Sequence, residues 1–148
     1  MSRSVATFWN PSVGKGILIH CSRYYLITEH KKGDKIWNIV NVYAPNTRND
    51  RHSLWEELSI FLSQNKNTFC MGDFNSPLYP SKKIGGMIDF NDSMKDLADF
   101  INDNDLLDME MDGAKFTWSN NRKGVDLIQV KLDRLLVLIG WEGFLVDY

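Results

Sequence analysis

No stretch of this chain approaches the roughly 18 consecutive apolar residues that a membrane-crossing helix needs. Residues Met1 to Asn10 hold no contiguous apolar core of the kind a secretory leader carries. The expectation is a protein that is not secreted and not membrane-bound, residing inside the cell in nucleus or cytoplasm. Cysteine is scarce: Cys21 and Cys70 are the only two, each in its own apolar strand-like run and without the spacing of metal ligands. They read as two buried, reduced thiols; a disulfide between them has no support in the sequence, and the spacing gives no structural zinc site. Internal repeats, low-complexity tracts and linker-like segments are also missing, so residues 1–148 form one domain. Positive charge is nearly absent from one region. Between Asp89 and Asp112 there are nine acids and a single base, Lys95, whereas the rest of the chain carries ten acids and sixteen bases. A polyanion would therefore meet the basic part, with the acidic segment turned away. A solvated acidic helix beside ordinary surface charge explains the same numbers.

What is present is apolar enough, at 43% hydrophobic residues with eighteen aromatics, to bury a core. Gly16–His20 and Tyr24–Glu29 form a hairpin about Cys21-Ser22-Arg23, and Gly33 serves a second turn. The run from Lys35 to Tyr43 places Trp37, Ile39 and Tyr43 on one face and Ile36, Val40 and Val42 on the other. A strand apolar on both faces is covered on both. From about His52 to Gln64 the period lengthens: Leu54, Trp55, Leu58, Phe61 and Leu62 make a helical stripe, with Asn49 or Asp50 as its cap. Thr68–Met71 is a short buried strand, and Ser76–Gly86 a surface loop with Pro77, Pro80 and two glycines. Met94, Leu97, Ala98 and Ile101 mark a second helix capped by Asn91 or Asp92. Leu106-Leu107, Phe116–Trp118 and Ile128–Leu138 complete the strands, with Asn120–Gly124 as a polar connection. This alternation indicates an α/β or α+β domain.

The stretch Thr68-Phe-Cys-Met-Gly-Asp-Phe-Asn75 carries the most chemistry. A buried strand runs through glycine into a carboxylate and an amide two residues apart. If the extended geometry continues, Asp73 and Asn75 face one site while Phe74 enters the core. Phosphodiester hydrolysis needs a base or metal to prepare water and neutral donors to place phosphate oxygens. Asp and Asn supply both. An Asp-x-Asn turn at a strand end also arises simply to satisfy backbone groups.

Three further motifs occur in order with it: Asn41-Val-Tyr-Ala-Pro-Asn46, Phe116-Thr-Trp-Ser119 and Lys131-Leu-Asp-Arg134. Together the four resemble the endonuclease/exonuclease/phosphatase superfamily, most closely the endonuclease domain of plant LINE-type retrotransposons, over about Gly14 to Trp141. The resemblance implies two mixed β-sheets packed as a sandwich with flanking helices, and a Mg²⁺-dependent DNA phosphodiesterase. It implies that Asp73 prepares the attacking water, that Asn75 neighbours it, and that both stand near the metal. Tyr43 would reach the scissile phosphate, Asn46 would lie near a phosphate, and Asp133 would orient a catalytic His. The connection bearing Asn120, Arg122 and Lys123 matches a hairpin that contacts the DNA target.

Two family segments have no counterpart here: the upstream Gln-Glu whose Glu binds the metal, and the downstream Ser-Asp-His. The expectation is a domain partial at both ends, with terminal strands missing and activity lost, since one such electrostatic element is worth about 10²–10³ in rate. Uncovered sheet edges would then invite self-association. A non-catalytic DNA- or protein-binding remnant and a phosphatase-like member of the superfamily are the alternatives.

Overall fold

The computed structural model describes residues 5–12, 14–86 and 91–141. Strands β1 (Lys15–Cys21), β2 (Tyr25–Lys32) and β3 (Lys35–Tyr43) form a meander in which Lys32 pairs with Lys35 across Gly33, whose φ is +59°. Helix α1 (Arg48–Gln64) returns the chain to β4 (Thr68–Asp73), which pairs parallel to β3. After the short strand β5 (Lys83–Ile84) come helix α2 (Asp92–Asp103) and strands β6 (Leu106–Asp108), β7 (Trp118–Ser119), β8 (Gln129–Val130) and β9 (Asp133–Leu138). The large sheet has the order β1-β2-β3-β4-β9-β6, and β5-β8-β7 make a small antiparallel one. The fold is α+β, with two sheets and two helices, as the alternation of periods predicts.

Both faces of β3 are covered. On one, Leu54, Trp55, Leu58 and Leu62 of α1 and Leu97, Phe100 and Ile101 of α2 bury Ile27, Val40, Val42, Cys70 and Leu136. Trp55 stacks on Phe100 at 4.9 Å and on Phe74 at 5.8 Å. On the other, Trp37, Phe69 and Val137 form a smaller cluster against Ile39 and Leu135.

Local chemistry moves several boundaries. Helix α1 starts at Arg48 and is capped by Thr47, not by Asn49 or Asp50. Thr47 is extended, so its Oγ1 accepts from the Asp50 N–H at 3.3 Å while donating to the Asp50 carboxylate at 2.6 Å. Asn91 caps α2 as expected, accepting from the Met94 N–H. The single strand expected over 128–138 is two, and Phe116 precedes β7 rather than joining it. At the break, Lys131 N–H turns to the Lys82 carbonyl, Leu132 and Asp133 N–H both donate to Thr117 Oγ1, and the Leu132 carbonyl accepts from Phe74. Those four bonds carry the backbone from the small sheet into the large one.

The expectation of two buried thiols fails at Cys21, which ends the edge strand β1 and is exposed. Cys70, in the central strand β4, is fully buried, and burial pushes its thiol up to about 12. A thiol-reactive chromophore should therefore label one cysteine in the native chain and two in denaturant. Native labelling of both would mean that β4 is accessible. Among the described residues no helix is long and apolar enough to cross a membrane.

Candidate active site

Register brings the predicted residues together. Tyr43 pairs with Asp73 on the parallel side of β4, and Asp73 pairs with Asp133 on the antiparallel side. Alternation along each strand puts these three on the face that carries Trp37, Phe69 and Val137, away from the helices. One rung back, Val42, Gly72 and Arg134 form the next row. Gly72 has φ +124°, and a Cβ there would stand 2.1 Å from the Val42 carbonyl oxygen. The glycine of the motif is required by that close approach.

Beyond Asp73 the chain does not stay extended. Phe74 is fully buried against Trp55, as expected, but Asn75 takes φ +49°. Its N–H donates to Asp73 Oδ1 at 2.8 Å, and its Nδ2 donates to the Ala44 carbonyl. Ala44 N–H in turn donates to the Asp73 carbonyl at 2.8 Å. The turn after β4 and the loop after β3 are thereby tied, and Asn46 is brought to the same place. Tyr43, Asn46, Asp73 and Asn75 all line one cleft of about 450 Å³, opposite Lys83 of β5 and Trp118 of β7. An adjoining hollow of about 330 Å³ shares Tyr43 and Asp73 and is lined also by Asn41 and Asp133.

The hairpin residues sit differently. Asn120 is occupied with its own loop: its Oδ1 accepts from the Arg122 and Ile128 N–H groups and its Nδ2 donates to the Asp126 carbonyl. Arg122 and Lys123 are exposed beyond it, outside the residues that line the cleft. Four acids of the acidic segment lie on α2, where Asp92 and Asp96 bind Arg48 at 2.9 and 2.6 Å and Asp99 binds Lys95 at 2.5 Å. Asp96, Asp99 and Asp103 line a groove between the helices, in the layer opposite the Asp73 row.

Behind the cleft two arginines are buried. Arg134 NH1 meets Asp108 Oδ2 at 2.7 Å, and its NH2 donates to the carbonyls of Ser76 and Lys131. Burial pulls this guanidinium below its ordinary value and Asp108 pulls it back up. Arg51, likewise lowered by burial, donates to the carbonyls of Pro45 and Asn46. Sequence reading missed Arg51, Lys83, Asn91 and Ser93 as parts of this site. The one available signal is that Arg51 lies three residues before Leu54, on the apolar stripe of α1, where a charge has to be explained.

A Mg²⁺ ion takes six oxygens, usually one or two carboxylates with water and phosphate. Among the described residues no group of three His, Cys, Asp or Glu side chains is placed to hold a metal. Asp73 and Asp133 are the acids at hand, and the Asn75 bond to the Ala44 carbonyl uses its Nδ2, not the amide oxygen that a metal would take. Any Mg²⁺ held at this place would rest on these two carboxylates, with water and phosphate completing its shell.

No protein-family model matches the chain, and no curated protein sequence matches it. Its fold is similar to solved ones. The endonuclease domain of TRAS1, a telomere-specific non-LTR retrotransposon, superposes with a TM-score of 0.66 at 13% identity, covering 86% of this chain and 57% of that one. Beta toxin from Staphylococcus aureus superposes with a TM-score of 0.56 at 15% identity, covering 78% of this chain and 43% of the toxin. The chain thus spans about half the length of these structures. These likenesses are of fold.

Proposed function

We propose that this chain is a DNA phosphodiesterase domain of retrotransposon origin, of the plant LINE type, whose cleft receives a backbone phosphate. The observation that carries the reading is the row Tyr43–Asp73–Asp133 on three adjacent strands: Tyr43 and Asp73 open into the cleft that Asn46 and Asn75 share, and Asp133 lines the adjoining hollow. Two carboxylates directly opposite one another cost a sheet stability. Packing alone does not call for that pair, and chemistry on a phosphate does. In this reading Asp73 prepares water, Tyr43 and Asn75 border the phosphate, Asp133 orients a partner group, and Arg122 and Lys123 hold DNA beyond the cleft. The likeness to the TRAS1 endonuclease domain supports the same class of reaction.

With no three-donor metal set among the described residues, the 148-residue chain is expected to bind duplex DNA without nicking it. Binding should weaken steeply with salt, as phosphate contacts release counterions. Replacing both Arg122 and Lys123 by Ala should lower that slope by about one to two. Plasmid nicking in excess Mg²⁺ that vanishes in an Asp73→Ala variant would overturn the silent-domain reading. Salt-independent binding would overturn the DNA reading itself. The edge strand β1, with Ile17, Leu18 and Ile19 exposed, is where self-association would begin.

A further inference from the structure

We infer that Arg51 is a positioning residue of the cleft, acting from behind it on three separate segments that line it. The inference rests on the reading of the cleft as a phosphate site and assigns what sets its geometry.

Arg51 is only 8% exposed and comes from the first turns of α1. Its NH1 donates to the Pro45 carbonyl at 3.0 Å and to the Asn46 carbonyl at 2.8 Å, fixing the backbone of the loop that presents Asn46. Its NH2 donates to Ser93 Oγ at 2.6 Å, in the first turn of α2. Ser93 Oγ lies 3.2 Å from Ser76 Oγ, and Ser76 Oγ also donates to the Ser93 carbonyl at 3.2 Å. Ser76 directly follows Asn75. One guanidinium therefore ties the loop after β3, the start of α2 and the turn after β4 into a single node. Asn46, Ser93 and Asn75 all line the cleft, each from a different one of these segments.

The chemistry needs arginine. Only a planar fork of fixed N–H donors reaches two carbonyls and a hydroxyl at once, and a lysine ammonium is a single point on a flexible stem. An aliphatic residue would leave the buried Pro45 carbonyl and the part-buried Asn46 carbonyl without this donor. Such a charge on the buried stripe of a helix is poor economy for packing alone, because hydrophobic contacts would serve better there. Its use is to hold the spacing between polar groups that no strand ladder connects.

Hydrogen exchange in the free chain tests the node, and binding of a duplex of about 20 base pairs tests its consequence. Arg51→Met should raise amide exchange together in residues 44–47, 74–77 and 91–94, leaving the β1–β2 hairpin unchanged. Ser93→Ala, which keeps the carbonyl bonds, should raise it only in 74–77 and 91–94. Duplex affinity of folded Arg51→Met should fall about tenfold with the salt slope unchanged, since Arg51 touches no phosphate, and Arg51→Lys should recover only part of it. A uniform rise in exchange would overturn the inference. So would unchanged affinity in the folded variant, or a slope lowered by about one, which would make Arg51 a direct ligand. If the unsubstituted chain binds no duplex, the phosphate reading of the cleft fails, while the exchange pattern still decides whether Arg51 joins the three segments.

Discussion

Gly72→Ala is expected to cost the chain most of its stability, leaving little native protein. The added Cβ would lie 2.1 Å from the Val42 carbonyl oxygen and 3.1 Å from the Val42 carbonyl carbon, both backbone atoms of the neighbouring strand. No rotamer relieves such a contact, and φ of +124° is itself strained for any L side chain. Strand β4 would have to leave β3 at the rung before Asp73, so loss of fold and loss of the cleft coincide. A cost of about 4 kcal/mol or more belongs to this class of backbone clash. Gly33→Ala is the proper control: Gly33 also has positive φ, but nothing lies within 4 Å of an added Cβ. It should cost only about 1 kcal/mol. Urea melts followed by circular dichroism separate the two, and equal midpoints would mean that β4 yields without penalty.

Asp108→Ala is the second large effect. The Arg134 side chain is fully buried, and among the described residues Asp108 is its one carboxylate contact at hydrogen-bond distance. Removing the carboxylate strands a cation inside the protein, which typically costs about 3–5 kcal/mol. For a chain of this size that amounts to a fall in Tm on the order of 10 °C. Arg134 Nε and Asp108 Oδ1 make no hydrogen bond among the described residues, although Lys131 Nζ stands 4.0 Å from Asp108 Oδ1. Replacing both, as Asp108→Leu with Arg134→Met, should recover much of the stability. It would not recover the bonds from Arg134 to the carbonyls of Ser76 and Lys131, which join the turn after Asp73 to the crossover before Asp133. The double variant should therefore melt near the parent yet bind duplex DNA less well. Full recovery of both properties would show that those two carbonyl bonds do not matter to the cleft.

The elements that sequence reading locates are those whose signal is local. The run Lys35–Tyr43 is a strand because its aromatic and β-branched residues fill both faces, and its bounds emerge as expected. The two helices follow from their apolar stripes, and Asn91 caps one of them as its side chain suggests. The candidate residues Tyr43, Asp73 and Asp133 are legible as motifs, but their adjacency belongs to register, which only the folded sheet supplies. Where tertiary bonds decide, local reading failed. Thr47 outcompetes Asn49 and Asp50 because the chain leaving Pro45 is already extended there. The run 128–138 breaks because Lys82, Thr117 and Phe74, all distant in sequence, claim its backbone. Asn120, read both as a ligand-facing amide and as an ordinary turn residue, braces its own turn in the free chain. Cys21 looked buried by its apolar neighbours, yet it lies at the edge of the sheet.

The place of β9 has a kinetic consequence. It is the last described strand in the chain, yet it is seated between β4 and β6 rather than at an edge. While the polypeptide is being made, β4 must wait, one side unpaired, until Leu138 has left the ribosome. Synthesis at ~5–20 residues per second makes that interval several seconds, long compared with helix or hairpin formation. Asp73 stands on that waiting edge, so the cleft is assembled last, after the helices and the β1–β2–β3 meander have had time to form. A nascent chain stalled before β9 would expose Phe69 and Met71 along an open strand, the kind of surface on which chaperones act.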